Sequence, residues 1–185
     1  RLVGSEMCIR DRRKTVLPPY WIKDVGGVKV GFIGMTLEGT DAIVAAAGIE
    51  GYSFLDEART ANRLVPKLKK QGVESIIVLL HEGVTQDPAP GDINACNNIT
   101  GPVVDINSKL DAEIDAVITG HTHQPYNCML PGPDGRKRMV TSAYSFGRVV
   151  SELILVLDRD TGEVLRNQST ATNHAVIQSE LALSL

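Results

Sequence analysis

The pattern of apolar and polar positions along the chain predicts buried strands that alternate with amphipathic helices. Three runs are apolar and β-branched with little polar interruption, which is typical of strands covered on both faces. These runs are 28–36, 74–83 and 114–119. The turn dipeptide Gly26-Gly27 precedes the first run. Each run therefore predicts a strand in the interior of a sheet.

Two helices are predicted between and after these strands. Segment 53–72 has apolar residues at helical spacing. Ser53 is followed three residues later by Asp56, a pair that predicts a capping box at the start of this helix. Pro66 lies inside the segment and is expected to kink the helix. The second helix is predicted over 101–110, which carries a proline near its first position.

The remaining third of the chain predicts three more strands. One covers 137–143, and two lie within 148–173, joined by a hairpin turn around Asp160-Thr161-Gly162. The order is therefore strand, helix, strand, helix, strand and then a meander. This order predicts an α/β domain built in layers.

Length and composition narrow the class of protein. The chain has 185 residues, of which 43% are hydrophobic and 22% are charged, as in an ordinary globular domain. Its net charge of -3 argues against a nucleic-acid polymer as partner. No apolar run approaches the ~20 residues that span a bilayer. The oligomeric state is left open by the sequence.

Both ends of the chain are set apart from the domain. Residues 1–14 show no helical or strand period, and 1–12 resemble the translation of a sequencing adapter, so we expect a non-native or disordered leader. We assign 15–173 to the domain. Residues 174–185 are expected to form a tail or linker, with His174 as an ordinary surface residue.

Three of the four histidines follow predicted strands. His81 comes after one apolar run, and His121 and His123 come after the next, with Gly120 allowing a tight or left-handed turn. Because ligand sites lie at the carboxyl ends of parallel strands, the three imidazoles are expected at one edge of the sheet. Neutral imidazole is a frequent ligand of zinc and related ions. Hydrogen-bonded surface histidines remain the alternative.

These motifs resemble a known family. The GHTH element after a buried strand, with LLHEG after the preceding one, is similar to the C-terminal part of the calcineurin-like metallophosphoesterase domain of bacterial 5'-nucleotidases. The resemblance covers most of residues 20–165. It implies an α/β/β/α sandwich, of which this chain holds a part. The N-terminal ligand motifs of the family and its C-terminal domain do not occur in the sequence.

The resemblance implies a site with two divalent ions, zinc, manganese or similar. His81 and His121 would ligate one ion, and His123 would ligate the other. Glu82 and Gln124 neighbour these ligands and are candidates for orienting the imidazoles. No residue of this chain is assigned a catalytic role beyond metal binding.

The implied activity is metal-assisted hydrolysis of nucleoside 5'-monophosphates or related nucleotides, by a fragment that lacks part of the active site. The alternatives are a 2',3'-cyclic-nucleotide phosphodiesterase, a nucleotide-sugar diphosphatase, or a non-catalytic fragment. The family is secreted, periplasmic or associated with the cell wall. That setting favours a disulfide between Cys96 and Cys128, whose loops are expected at the same sheet edge. Two free surface thiols are the alternative.

Overall fold

The computed structural model describes residues 9–10, 14–15, 17–87 and 91–177. Its helices are α1 (Glu57–Lys69) and α2 (Pro102–Lys109), with two short 3₁₀ helices at Glu38–Ala42 and Ala46–Gly48. Its strands are β1 (Ile9–Arg10), β2 (Lys14–Thr15), β3 (Tyr20–Val25), β4 (Val28–Met35), β5 (Tyr52–Ser53), β6 (Ser75–Leu80), β7 (Thr85–Gln86), β8 (Ile99–Thr100), β9 (Ile114–Thr119), β10 (Pro125–Pro131), β11 (Lys137–Ala143), β12 (Val149–Ile154) and β13 (Thr170–Ala175).

A six-stranded mixed sheet in the order β10-β11-β9-β6-β4-β3 forms the centre of the fold. The four inner strands are parallel, and an antiparallel strand closes each side. Val78 of β6 pairs with Ile33 of β4 on one side and Val117 of β9 on the other. The predicted strands at 28–36, 74–83, 114–119 and 137–143 are therefore confirmed. The two closing strands, β3 and β10, were not predicted.

Helices α1 and α2 pack on one face of this sheet. Leu64 and Leu68 of α1 are fully buried against sheet residues such as Ile76. The helix begins later than predicted, because Asp56 is its N-cap and accepts a hydrogen bond from the backbone N–H of Arg59. Ser53 lies in β5, so the predicted capping box is wrong. Neither described helix is long and apolar enough to span a membrane.

A second, two-stranded sheet of β12 and β13 packs on the opposite face. Ile77 and Met139 of the central sheet meet Leu153 and Ala171 there. The predicted turn around 160–162 exists, since the N–H of Gly162 donates to the carbonyl of Asp158. This turn leads only to the single bridge Leu157–Val164. β12 pairs instead with β13, which follows it after the connection 155–169 and not after a tight hairpin. Helices, central sheet and second sheet make three layers, which confirms the α/β prediction.

The second sheet differs at its two edges. Asn94 bonds to Asn173 of β13 twice, because its side-chain oxygen accepts from the backbone N–H of Asn173 and its amide donates to the carbonyl. Asn94 thus occupies part of the edge of β13. Within the described residues β12 pairs with β13 alone, and its Val150 and Ile154 are exposed.

A disulfide joins Cys96 to Cys128, with the two Cα atoms 5.3 Å apart, so the predicted bridge is present. Cys128 lies in β10 and is buried, whereas a loop position was expected for it. The bridge fastens the loop after β7 to the outermost strand of the central sheet. Together with Asn94 it holds this loop to both sheets.

The two ends differ in part from expectation. Ile9–Arg10 pairs with Tyr52–Ser53 and with Lys14–Thr15, so these residues have partners where a leader without contacts was expected. The other residues of 1–14 lie outside the described part of the chain. The expected tail begins later than 174, because β13 continues to Ala175. Residues 178–185 also lie outside the described part.

Candidate metal centre

The carboxyl edge of the central sheet carries the three predicted histidines. His81 follows β6, and His121 and His123 follow β9, its parallel neighbour. The ring centroids of His81 and His121 are 5.1 Å apart with an edge-to-face arrangement. Parallel pairing therefore brings imidazoles that are forty residues apart in sequence into contact.

Hydrogen bonds join the loops that carry these histidines. The backbone N–H of Gly120 donates to the carbonyl of Glu82 at 3.1 Å, and the hydroxyl of Thr122 donates to the carbonyl of Val84 at 2.8 Å. The N–H of His81 donates in turn to the carbonyl of Met35 at the end of β4. Three adjacent strand ends are thus fixed relative to one another.

Gly83 allows this close approach of the two loops. A Cβ atom at position 83 would lie 2.4 Å from both the carbonyl oxygen of Gly120 and the hydroxyl oxygen of Thr122. No side chain fits there without displacing the loop of His121 and His123. The requirement at this position is space for the neighbouring loop.

The histidine loop has an unusual backbone. His121 and His123 have φ angles of 65° and 54°, in the left-handed region that non-glycine residues rarely adopt. The sequence had suggested Gly120 for this conformation, but Gly120 is not among the residues with positive φ. Gly120 instead takes part in a tight turn, because its carbonyl accepts a hydrogen bond from the N–H of Thr122 at 2.7 Å. The two imidazoles have different neighbours, His81 for His121 and Phe146 for His123.

A third loop, Tyr144 to Arg148, lies at the same edge and is not among the predicted site residues. It follows β11, which pairs with β9. The ring of Phe146 contacts that of His123 with a centroid distance of 5.3 Å. Tyr144 and Phe146 also have positive φ angles, 64° and 59°. Four of the five described non-glycine residues with positive φ therefore lie in two loops of this edge.

The two residues proposed to orient the imidazoles do not bond to them in the described part of the chain. Glu82 is buried, and its carboxylate accepts from the backbone N–H of Gly83 at 2.8 Å. This bond holds the loop that begins at His81. Gln124 is half-buried. Among the hydrogen bonds of the described residues, none joins Glu82 or Gln124 to an imidazole. His174 bonds to Glu152 at 3.2 Å within the second sheet, where it pairs with Val150.

The donor set fits divalent ions only in part. Imidazole nitrogens bind zinc at about 2.0–2.1 Å, so two rings that share an ion must lie close together, as His81 and His121 do. His123 contacts Phe146, and the three histidines do not form a three-ligand group whose atoms lie within 4.8 Å. The only group of this kind in the described chain consists of Glu74, Glu113 and Glu163. Lys69 forms an ion pair with each of these three carboxylates.

The chain is similar to parts of longer bacterial proteins. It is 30% identical over 168 residues to Endonuclease YhcR of Bacillus subtilis, covering 91% of this chain and 13% of that protein. It is 33% identical to Cell wall protein Lmo0130 of Listeria monocytogenes (78% and 18%) and 31% identical to a 5'-nucleotidase of Vibrio cholerae (65% and 21%). The chain therefore spans less than a fifth of the first two relatives. No model of a known protein family matches it.

Solved structures share the fold. A 5'-nucleotidase precursor of Thermus thermophilus superposes with a TM-score of 0.71 and 26% identity, covering 92% of this chain and 33% of that one. The calcineurin-like phosphoesterase YfkN of Bacillus subtilis superposes with a TM-score of 0.66 at 23% identity, covering 91% and 54%. The second likeness bears on the fold alone.

Proposed function

We propose a function from the premise that this chain is a homologue of the 5'-nucleotidases and has the calcineurin-like phosphoesterase fold. The protein to which it contributes is a metal-dependent phosphoester hydrolase, and its substrates are nucleoside 5'-monophosphates or related nucleotides. The observation that carries this proposal is the contact of His81 with His121 at the carboxyl edge of a sheet of that fold, with His123 in the same loop as His121.

Each histidine has a role in this proposal. His81 and His121 hold one divalent ion, zinc, manganese or similar, and His123 holds a second. When bound, such a pair of ions polarises the phosphoryl group and lowers the pKa of a bound water. The residues of this chain orient the ligands. Gly83 and Glu82 fix the His81 loop, and the left-handed backbone of His123 aims its ring toward the Phe146 side.

Phosphodiester hydrolysis is the second candidate. The observation that favours it is the 30% identity to a protein named as an endonuclease. The same ions and histidines serve both reactions, since the attacked phosphorus differs only in its second ester. The substrate panel must therefore contain a nucleoside 5'-monophosphate, a 2',3'-cyclic nucleotide and a DNA oligonucleotide.

We also propose that the protein acts outside the cytoplasm. A relative named as a cell wall protein supports this location, and so does the Cys96–Cys128 disulfide, because such bonds persist mainly in oxidising compartments.

The test joins this segment to the N-terminal ligand motifs of a 5'-nucleotidase and compares His121→Asn with His174→Asn. Asparagine tolerates the left-handed backbone, so the change at 121 removes the imidazole with little added strain. We expect His121→Asn to lower phosphate release by 100-fold or more, about the effect of perturbing a metal ligand, and to reduce bound metal in elemental analysis. His174→Asn should leave both unchanged. Equal effects of the two substitutions would contradict the proposal.

A further inference from the structure

Arg148 lies in the third loop of the histidine edge. The loop follows β11, whose neighbour β9 leads to His121 and His123. Phe146 of the same loop contacts the His123 ring. The guanidinium of Arg148 lies 5.4 Å from the ring centroid of Phe146. One aromatic ring thus contacts both a proposed metal ligand and a cation.

Two aromatic rings hold this guanidinium. Its Cζ lies 5.5 Å from the centroid of Tyr144 as well as 5.4 Å from that of Phe146, within the range of cation–π attraction. Among the hydrogen bonds of the described residues, Arg148 takes part only through its backbone, so its side-chain N–H groups stay free to donate. A guanidinium held in this way is oriented for two parallel hydrogen bonds to an anion.

The charge of Arg148 has no carboxylate beside it. Arg166 is paired with Asp115 at 2.9 Å, and Arg136 is paired with Asp134 and Glu113. Within the described chain no ion pair includes Arg148, and the residue is exposed. The positive charge of Arg148 would repel divalent ions bound at the neighbouring imidazoles. An anion that contacts both Arg148 and the ions removes this repulsion.

The backbone of the loop is strained without a gain in burial. Phe146 combines a φ of 59° with a side chain that is 80% exposed, and Tyr144 has a φ of 64°. A left-handed bulky residue costs about 1–3 kcal/mol. Burial does not offset this free-energy cost at Phe146, because the ring is largely exposed and its ring contacts are to His123 and Arg148. Such strain is concentrated at ligand sites.

We propose that Arg148 binds the phosphate group of the substrate and that Tyr144 and Phe146 are positioning residues for its guanidinium. The inference rests on the proposed function, which supplies a phosphate at this edge. It adds to the metal ligands a direct contact from the protein to the anion. Arg148 determines affinity for the anionic end of the substrate and takes no part in proton transfer.

The first test uses the 185-residue chain without metal, and inorganic phosphate as the probe. Arginine Nε–H signals are followed by NMR during the titration. We expect a saturable shift of the Arg148 signal, no shift with adenosine, and no comparable shift of Arg136 at the opposite edge. Phe146→Asn, which keeps the left-handed backbone, should weaken the phosphate effect. A shift shared equally by Arg136, or none at Arg148, overturns the inference.

The second test uses the active fusion described above. Arg148→Ala should raise KM for a nucleoside 5'-monophosphate about tenfold, the value of one charge-assisted hydrogen bond, and change kcat little. Arg148→Lys should recover part of the loss, and Arg136→Ala should change neither constant. An unchanged KM in a working enzyme overturns this inference alone. Phosphate binding without any catalysis in the fusion overturns the proposed function alone.

Discussion

Asp115 and Arg166 form a buried ion pair at the edge of the sheet opposite the histidines. The Nε of Arg166 donates to one carboxylate oxygen at 2.9 Å, and the backbone N–H of Ile76 donates to the other. Burial raises the pKa of Asp115 to about 6, although both hydrogen bonds act to lower it. The folded chain therefore holds this proton more tightly than the unfolded chain does, where the pKa is about 3.9.

The sign of the pH effect follows from that difference. The contribution of Asp115 to the free energy of unfolding is fully present below about pH 4 and is lost as pH rises to about 6. Removing Arg166 takes away a group that stabilises the carboxylate, so the pKa of Asp115 should rise further. In the variant, the contribution of Asp115 to the free energy of unfolding is then lost over a range that extends to higher pH.

We expect Arg166→Met to lower the free energy of unfolding by about 3 kcal/mol at pH 7.5, as for a buried pair that loses one partner, and by clearly less at pH 5. Urea denaturation of variant and unchanged chain at both pH values measures this, and histidine titration cancels in the difference. Arg136→Met, with a half-exposed side chain, is the control and should cost under about 1 kcal/mol. A loss from Arg166→Met that is larger at pH 5 would contradict the assignment.

The disulfide gives a second prediction for single residues. Cys96 and Cys128 are 32 positions apart, and closing a loop of this length stabilises the folded chain by about 3–4 kcal/mol in the chain-entropy model. We expect Cys96→Ser to lower the free energy of unfolding by that amount. The change is made at the exposed cysteine so that no hydroxyl replaces the buried Cys128.

A reductant provides the control. Dithiothreitol should lower the stability of the unchanged chain to the level of Cys96→Ser and leave that variant unaffected. Two free thiols found by mass spectrometry under oxidising conditions would refute the bridge.

Among the elements, the loops at the ends of β6 and β9 depend on Gly83. Gly83→Ala places a methyl group 2.4 Å from two oxygen atoms of the neighbouring loop. We expect a loss of about 1–3 kcal/mol, the usual effect of overpacking, and shifted amide signals from 120–124 in NMR spectra. Gly48→Ala is the matched control, because no atom lies within 4 Å of its added Cβ. If both changes were equally harmless, the close approach of the two loops would be wrong.

The inner strands β4, β6 and β9 could be predicted because each is buried on both faces and is largely apolar. The closing strands could not. β10 begins and ends with proline and mixes buried with exposed positions, and β3 is exposed over its second half. β13 has the polar sequence TATNHA, and its buried Asn173 donates to the carbonyls of Ile93 and Ser142, far away in the chain. No local pattern carries that information.

The same limit applies to the site. His81, His121 and His123 could be found because apolar strands precede them. Phe146 was missed because its left-handed backbone and its contact with His123 arise only when β11 lies beside β9.

At the scale of the whole molecule, the described chain offers each proposed ion too few ligands. The rings of His81 and His121 are in contact, and the three histidines do not form one compact ligand group. Structural zinc takes about four ligands and catalytic zinc about three from the protein. We expect the 185-residue chain alone to bind zinc or manganese weakly and below one equivalent, and to release no phosphate from nucleoside monophosphates. Calorimetric titration and a phosphate assay test this. Tight binding of two ions with turnover would overturn the ligand assignment.

In the described part of the chain one edge of β12 has no partner strand, and this affects how the chain behaves in concentrated solution. Such an edge offers a row of unsatisfied amide and carbonyl groups, and Val150 and Ile154 of β12 add exposed apolar surface. Asn94 covers part of the edge of β13, so only the edge of β12 is open to pairing with another chain. One-sided adhesion favours pairs of chains joined edge to edge over open-ended fibres. Light scattering at increasing concentration should therefore level off at twice the mass of a single chain.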